Sequence, residues 1–315
     1  MWYTNEYLEI LSKTNRYLTM LRRRNHKLRH LIPRRFIRNI NRNKYYLSHL
    51  KTFCIPAIYK SSNTNIYHCC VQKTGSQWIK SVLTDLMTYR YSGLTHYPYR
   101  SIMLDGYDHR AITERSFTEP FPINKILSPL YIDYHNYTNI KKLGPHKAFF
   151  VMRDPRDIVV SWYFSTKSSH ALLGGSGIPL RRQELHKLSF RDGMIYGIEY
   201  LHNAGHFTAL RSWAEAARNE SNVLLVRYED LVASSFTVFK KLFADLDIQM
   251  PDAILADLIQ AYSFKRLSGR DQGKENQQSH LRKGIAGDWR NHFDNEITAV
   301  FHKFTGDLVH CLGYT

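Results

Sequence analysis

From about residue 65 onward the chain alternates short apolar runs with longer stretches whose apolar residues recur every three or four positions. "NIYHCCV" (65–71), "SPLYIDY" (128–134), "KAFFVM" (147–152) and "NVLLVRY" (222–228) are short, rich in β-formers and flanked by polar or turn residues, which predicts strands. Helical spacing predicts a helix over 75–90, with Trp78, Val82 and Leu86 on one face. It also predicts helices in "IVVSWYFSTK" (158–167), "GHFTALRSWAEAAR" (205–218) and "SFTVFKKLFADL" (235–246). In the last of these Phe236, Phe239, Phe243 and Leu246 form one stripe, ordinary core packing. Strand–helix alternation of this kind implies an α/β fold, a mostly parallel central sheet flanked by helices, with ligands beyond the carboxyl ends of the strands.

The first residues follow another pattern. Leu8, Leu11, Leu18, Leu21, Leu28 and Leu31 recur at helical spacing up to Pro33, so residues 1–55 read as a basic helical extension ahead of a body at 56–315. Residues 1–51 hold 13 Lys and Arg against two acids, and the net charge of the whole chain is +17. The basic excess therefore sits mostly outside the body. Contact with nucleic acid or an anionic membrane surface is one reading of that extension. A solvated helix packed on the body or on a partner chain, a second copy included, is the simpler one. A hydrophobic fraction of 43% excludes global disorder. No apolar run is long enough to span a membrane, and the start lacks the basic and apolar regions of a secretory signal. Cys54, Cys69, Cys70 and Cys311 have no paired spacing, and adjacent Cys69 and Cys70 read as small buried hydrophobes. A reducing, cytoplasmic setting is expected, with no metal site and no nucleic-acid-binding signature.

Three stretches carry candidate chemistry. In "CCVQKTGSQW" (69–78) a buried strand turns into a helix through Lys73, Thr74, Gly75 and Ser76. Backbone N–H groups converge at such a bend, and the helix dipole adds positive charge, so the geometry favours an anion. The Walker spacing is absent, because Gly75 follows Lys73. In "FFVMRDPRDIVVSWYFS" (149–165) Arg153 stands at the end of a strand, Pro155 suits a helix start with Asp154 and Asp157 near its positive end, and Ser161 follows on that helix. "LRKGIAGDWRNHF" (281–293) places Arg282 and Lys283 before Gly284 in a loop.

Together and in this order the three closely resemble the signature set of sulfotransferases that use 3′-phosphoadenosine 5′-phosphosulfate (PAPS), over about residues 65–293. The resemblance implies a P-loop-like architecture and transfer of a sulfuryl group from PAPS to a hydroxyl or amine of a small-molecule acceptor. By it, Lys73, Thr74, Gly75, Ser76 and Gln77 hold the phosphosulfate, and Arg153, Ser161, Arg282, Lys283 and Gly284 hold the 3′-phosphate. Trp78, Tyr228 and Phe264 match aromatics around adenine, with plain core packing as the alternative for each. Lys73 would also neutralise the leaving oxygen. The family's usual base, a histidine in a Lys-x-His pattern, is missing; His135 or Asp133, on the same side of an extended strand, could replace it, with His109 and His170 as substitutes. Gln77 replaces a hydroxyl residue common in the family. "SSHALLGGSGIPLRR" (168–182) suggests a mobile lid or an ordinary surface loop, and "SGRDQGKENQQSH" (268–280) a polar segment ordered by the nucleotide. The competing readings are a P-loop-type nucleotide kinase and a basic nucleic-acid or membrane-binding protein.

Overall fold

A computed structural model describes residues 56–99, 107–172, 176–220 and 223–315; the expected basic extension, 1–55, lies outside the described residues. Five strands, β1 (Asn65–Cys70), β2 (Thr95–Tyr97), β3 (Lys125–Tyr131), β4 (His146–Met152) and β5 (Val223–Arg227), form one sheet. Its order is β2-β3-β1-β4-β5, and every pairing is parallel. β1 thus lies between β3 and β4, and the chain leaves it first towards one edge and later towards the other. Such a reversal opens a crevice at the carboxyl ends of the strands. The loops after β1 and β4 both end there.

Every residue of β1 is buried, as a central strand covered on both faces requires. Cys69 and Cys70 are fully buried and unbridged, as the sequence implies. One hydrophobic core runs from Ile66 to Leu312. Trp213, on the helix His206–Asn219, is fully buried at its centre. Its ring stacks on Phe150 of β4, centroids 5.1 Å apart, and lies 5.0 Å from Tyr137. Its Nε1–H donates to Ile132 O at 2.9 Å, so the one polar atom it buries is satisfied.

Some expected elements differ. The predicted helix 75–90 is two helices, Ser76–Leu83 and Leu86–Arg90, because the Asp85 carboxylate accepts from Met87 N and starts a new helix. The strand expected at 128–134 runs over Lys125–Tyr131 instead. Asp133 ends the extended course by capping a helix, Tyr134–Thr138. The glycine-rich stretch 168–182 contains the start of a helix, Ile178–Lys187, with Gly177 at its N-cap in the left-handed region. The segment 268–280 has a defined course: Gly273 N donates to Lys283 O and Asn276 N to Arg282 O, each at 2.9 Å.

Trp213→Ala removes the largest buried ring and leaves a cavity between β4 and its covering helix. The expected cost is about 3–5 kcal/mol, read as a lower midpoint in urea unfolding with a near-unchanged slope.

Candidate active site

The crevice holds a cavity of about 1200 Å³, reached by the loops after β1, β4 and β5 and by the C-terminal loop. At its floor the chain leaves β1 through Lys73 at φ 72° and Gly75 at φ 79°, two left-handed residues around Thr74. That sharp bend ends in the helix Ser76–Leu83, whose N-terminus carries no side-chain cap. Its first N–H groups have no intrahelical acceptor and face an anion by default. Thr74 is fully buried and donates its hydroxyl to Val71 O at 2.9 Å, which holds the bend. A Cβ at Gly75 would sit 3.0 Å from the Tyr228 ring, so the close approach of ring and loop requires glycine there. Ser76 Oγ and Gln77 Nε2 both reach Tyr131 Oη, at 3.0 and 3.4 Å.

Arg153, the first residue after β4, is buried beside this bend. Its Nη1 donates to Lys73 O at 2.8 Å, its Nη2 lies 3.6 Å from Asp157, and its guanidinium lies 4.2 Å from the Tyr228 ring centroid. Asp154 caps the helix Pro155–Phe164, Pro155 opens it, and Asp157 sits in its first turn, as the sequence predicts. Asp157 is almost fully buried and accepts from Gly287 N at 2.7 Å and Trp289 N at 2.9 Å. One carboxylate therefore ties the C-terminal loop to Arg153.

In that loop Arg282 and Lys283 both donate to Asp288, Lys283 at 2.6 Å, and Arg282 also reaches Glu275 at 2.5 Å. Burial pushes the Asp288 carboxyl up, but hydrogen bonds from His292, Lys283, Arg282 and Asn291 outweigh it and hold the group well below the usual range. A Cβ at Gly284, φ 68°, would fall 2.5 Å from the Phe264 ring, so that ring lies flush against the loop backbone. Burial, then the charges of Arg153 and Arg282, pull Lys73 down to about 7.

Lys73, Gly75, Ser76, Gln77, Trp78, Arg153, Ser161, Tyr228, Phe264, Arg282, Lys283 and Gly284 all line the one cavity, with Thr74 directly behind them. The expected bases do not. Asp133 spends its carboxylate on Asn136 N at 2.9 Å, and His135 is exposed on the short helix it starts; neither lines the cavity. The shared side of an extended strand never forms, because the strand ends at Tyr131. His109 and His170 do line the cavity, and so does His280, which sequence reasoning passed over. The His170 and His280 rings are 6.3 Å apart. The charge of Lys73, then burial and His170, push His280 down to about 3. Its position two residues before Arg282 was the available signal. Tyr131 and Asp288 are other structural partners that no motif reading singled out.

A parallel sheet whose switch point gathers an uncapped helix N-terminus and four cations has the P-loop-like α/β architecture. The chain belongs to the sulfotransferase family: the sulfotransferase domain matches residues 63–313. It is 30% identical over 175 residues to the 3-beta-hydroxysteroid sulfotransferase of Cavia porcellus, covering 50% of this chain and 54% of that enzyme, so the match spans about half of its relative's length. It is 22% identical over 264 residues to cytosolic sulfotransferase 1 of Arabidopsis thaliana, 76% of each chain. Among solved structures, mouse sulfotransferase SULT7A1 complexed with PAP shares the fold, with a TM-score of 0.50 at 18% identity over 81% of this chain and 90% of that one. Among the described residues no helix is long and apolar enough to cross a membrane.

Proposed function

We propose that this protein transfers the sulfuryl group of PAPS to an oxygen or nitrogen of a small-molecule acceptor. The observation that carries the reading is the joining of two cationic sites in one cavity: Lys73 with the helix N-terminus on one side, Arg153, Arg282 and Lys283 on the other. A nucleotide with an anionic group at each end needs that arrangement, and each charge-assisted hydrogen bond contributes about 1.5–3 kcal/mol. The residues fit such a ligand. Trp78 Nε1 and Arg153 Nε are buried without a partner, and Gly75 and Gly284 keep backbone where a side chain would fill the space. Trp78, Tyr228 and Phe264 offer faces for a base.

When bound, PAPS supplies the sulfuryl group and its leaving phosphate. The N–H groups of Gly75, Ser76 and Gln77 would orient the phosphosulfate, and Lys73 would neutralise charge on the leaving oxygen. Arg153, Ser161, Arg282, Lys283 and Gly284 would hold the 3′-phosphate. With His135 and Asp133 outside the cavity, the acceptor's proton falls to the His170–His280 pair. The Lys73 side chain and burial keep His280 neutral, so its ring can accept a hydrogen bond from the acceptor's O–H or N–H. The names of the relatives, a hydroxysteroid enzyme and an amine sulfotransferase of Oryctolagus cuniculus, favour a hydroxyl or amine acceptor. The absent Walker spacing weighs against a nucleotide kinase.

In thermal shift, adenosine 3′,5′-bisphosphate (PAP) is expected to stabilise the protein strongly and ATP–Mg²⁺ to do so little; the reverse order would sink the reading. Lys73→Ala is expected to cut turnover by about 10²–10⁴ while PAP still binds.

The pH dependence has a definite sign. Lys73 loses its proton above about pH 7 in the free protein, and a bound anion restores it, so binding takes up a proton there. PAP affinity is expected to fall as pH rises past about 7, by up to about tenfold per pH unit, and to lose that decline in Lys73→Gln. Calorimetric titrations between pH 6 and 9 measure both.

For the base, single and double His170→Gln and His280→Gln variants are compared in pH–rate profiles. A loss of about 10² or more in the double variant is expected, and an unchanged rate would place the base elsewhere.

A further inference from the structure

The residues that line the cavity without belonging to its three cation-bearing motifs have a chemistry of their own. Ile112, Ile178 and Tyr200 give the cavity apolar walls, and Arg110, Arg115 and Arg181 line it together with Asp108, the one carboxylate among the described residues that line it. That carboxylate is already committed. Arg110 holds it through Nε and Nη2, both at 2.9 Å, and Arg115 lies 3.7 Å away. Burial pushes Asp108 up, but the two guanidiniums outweigh it and keep the carboxyl below its usual range. Arg115 is itself spent, donating to the carbonyls of Arg110, Tyr131 and Asp108.

Arg181 is different. It projects from the helix Ile178–Lys187 with its guanidinium 4.7 Å from the Tyr200 ring centroid. Its Nη2 donates to Ser176 O at 2.8 Å, and no carboxylate pairs with it among the described residues. Its Nε is closed off from water with no acceptor. A guanidinium held in place by stacking and by one carbonyl, with Nη1 making no hydrogen bond among the described residues, is preorganised for an anion. An ammonium would meet three guanidiniums and one carboxylate that two of them already neutralise. Its approach would be repelled.

We propose that the acceptor is an anionic alcohol or phenol, whose carboxylate or like acid group pairs with Arg181 while its hydroxyl reaches the Lys73–His170 side. This rests on the sulfotransferase reading and narrows it to O-sulfation of acidic acceptors. Arg181 then sets specificity and takes no part in the transfer itself.

The test uses three phenols that differ only in the charge at the far end: 4-hydroxyphenylacetate, its methyl ester, and tyramine. Each is titrated by calorimetry into protein saturated with PAP. The carboxylate is expected to bind about tenfold or more tighter than the ester, and tyramine weakest. Arg181→Gln is expected to erase the carboxylate's advantage and Arg181→Lys to keep part of it, with PAP affinity unchanged in both as the check on folding. An ester or tyramine that binds as tightly as the acid, an acid that does not bind, or an advantage that survives Arg181→Gln overturns the proposal. Failure of PAP itself to bind the wild-type protein would instead overturn the sulfotransferase reading.

Discussion

The site depends on one buried guanidinium. Arg153 donates to the backbone of the bend after β1, lies against Tyr228 at the end of β5, and faces Asp157, whose carboxylate also takes two N–H groups of the C-terminal loop. Three segments distant in sequence are thereby fixed around one charge. A buried guanidinium is tolerated only where acceptors and counter-charge surround it, and here the surroundings are the functional loops themselves. The loops that line the cavity and the packing of the protein are consequently one construction.

The sheet order explains why those segments meet. β1 and β4 are neighbours, so the bend at 71–75 and the turn at 153–154 open side by side. Tyr228 arrives one strand further out, where it can cover Gly75 and stack on Arg153 at once. The C-terminal loop has no strand to place it, and Asp157 does that work through hydrogen bonds. Burying Lys73 beside Arg153 and Arg282 has a cost, visible in its lowered affinity for a proton, which comes first from burial and then from the two guanidiniums.

Much of this was legible in the sequence where a local rule decides the outcome. The buried strand 65–70, the Asp154–Pro155 helix start and the loop glycines each follow from backbone chemistry that a short window contains. The cation set was readable for the same reason, since its three motifs are contiguous. The surroundings of His135 and Asp133 were not. Both are base candidates only if β3 continues through residue 134, and alternation cannot report that Asp133 prefers to cap a helix. The places of His280 and Asp288 were equally hidden, because they come from tertiary contacts with Lys73, Arg282 and Lys283. Similarly, the helix at 178–187 lay inside a glycine-rich stretch that composition alone reads as a loop.

Asp288 gives Arg282 and Lys283 an internal counter-ion before any nucleotide arrives. On the proposed reading, an incoming phosphate would join that group instead of displacing a cloud of small dissolved anions. Its hold on those two residues would then depend less on ionic strength than their number suggests, with the loop shaped by Asp288 beforehand.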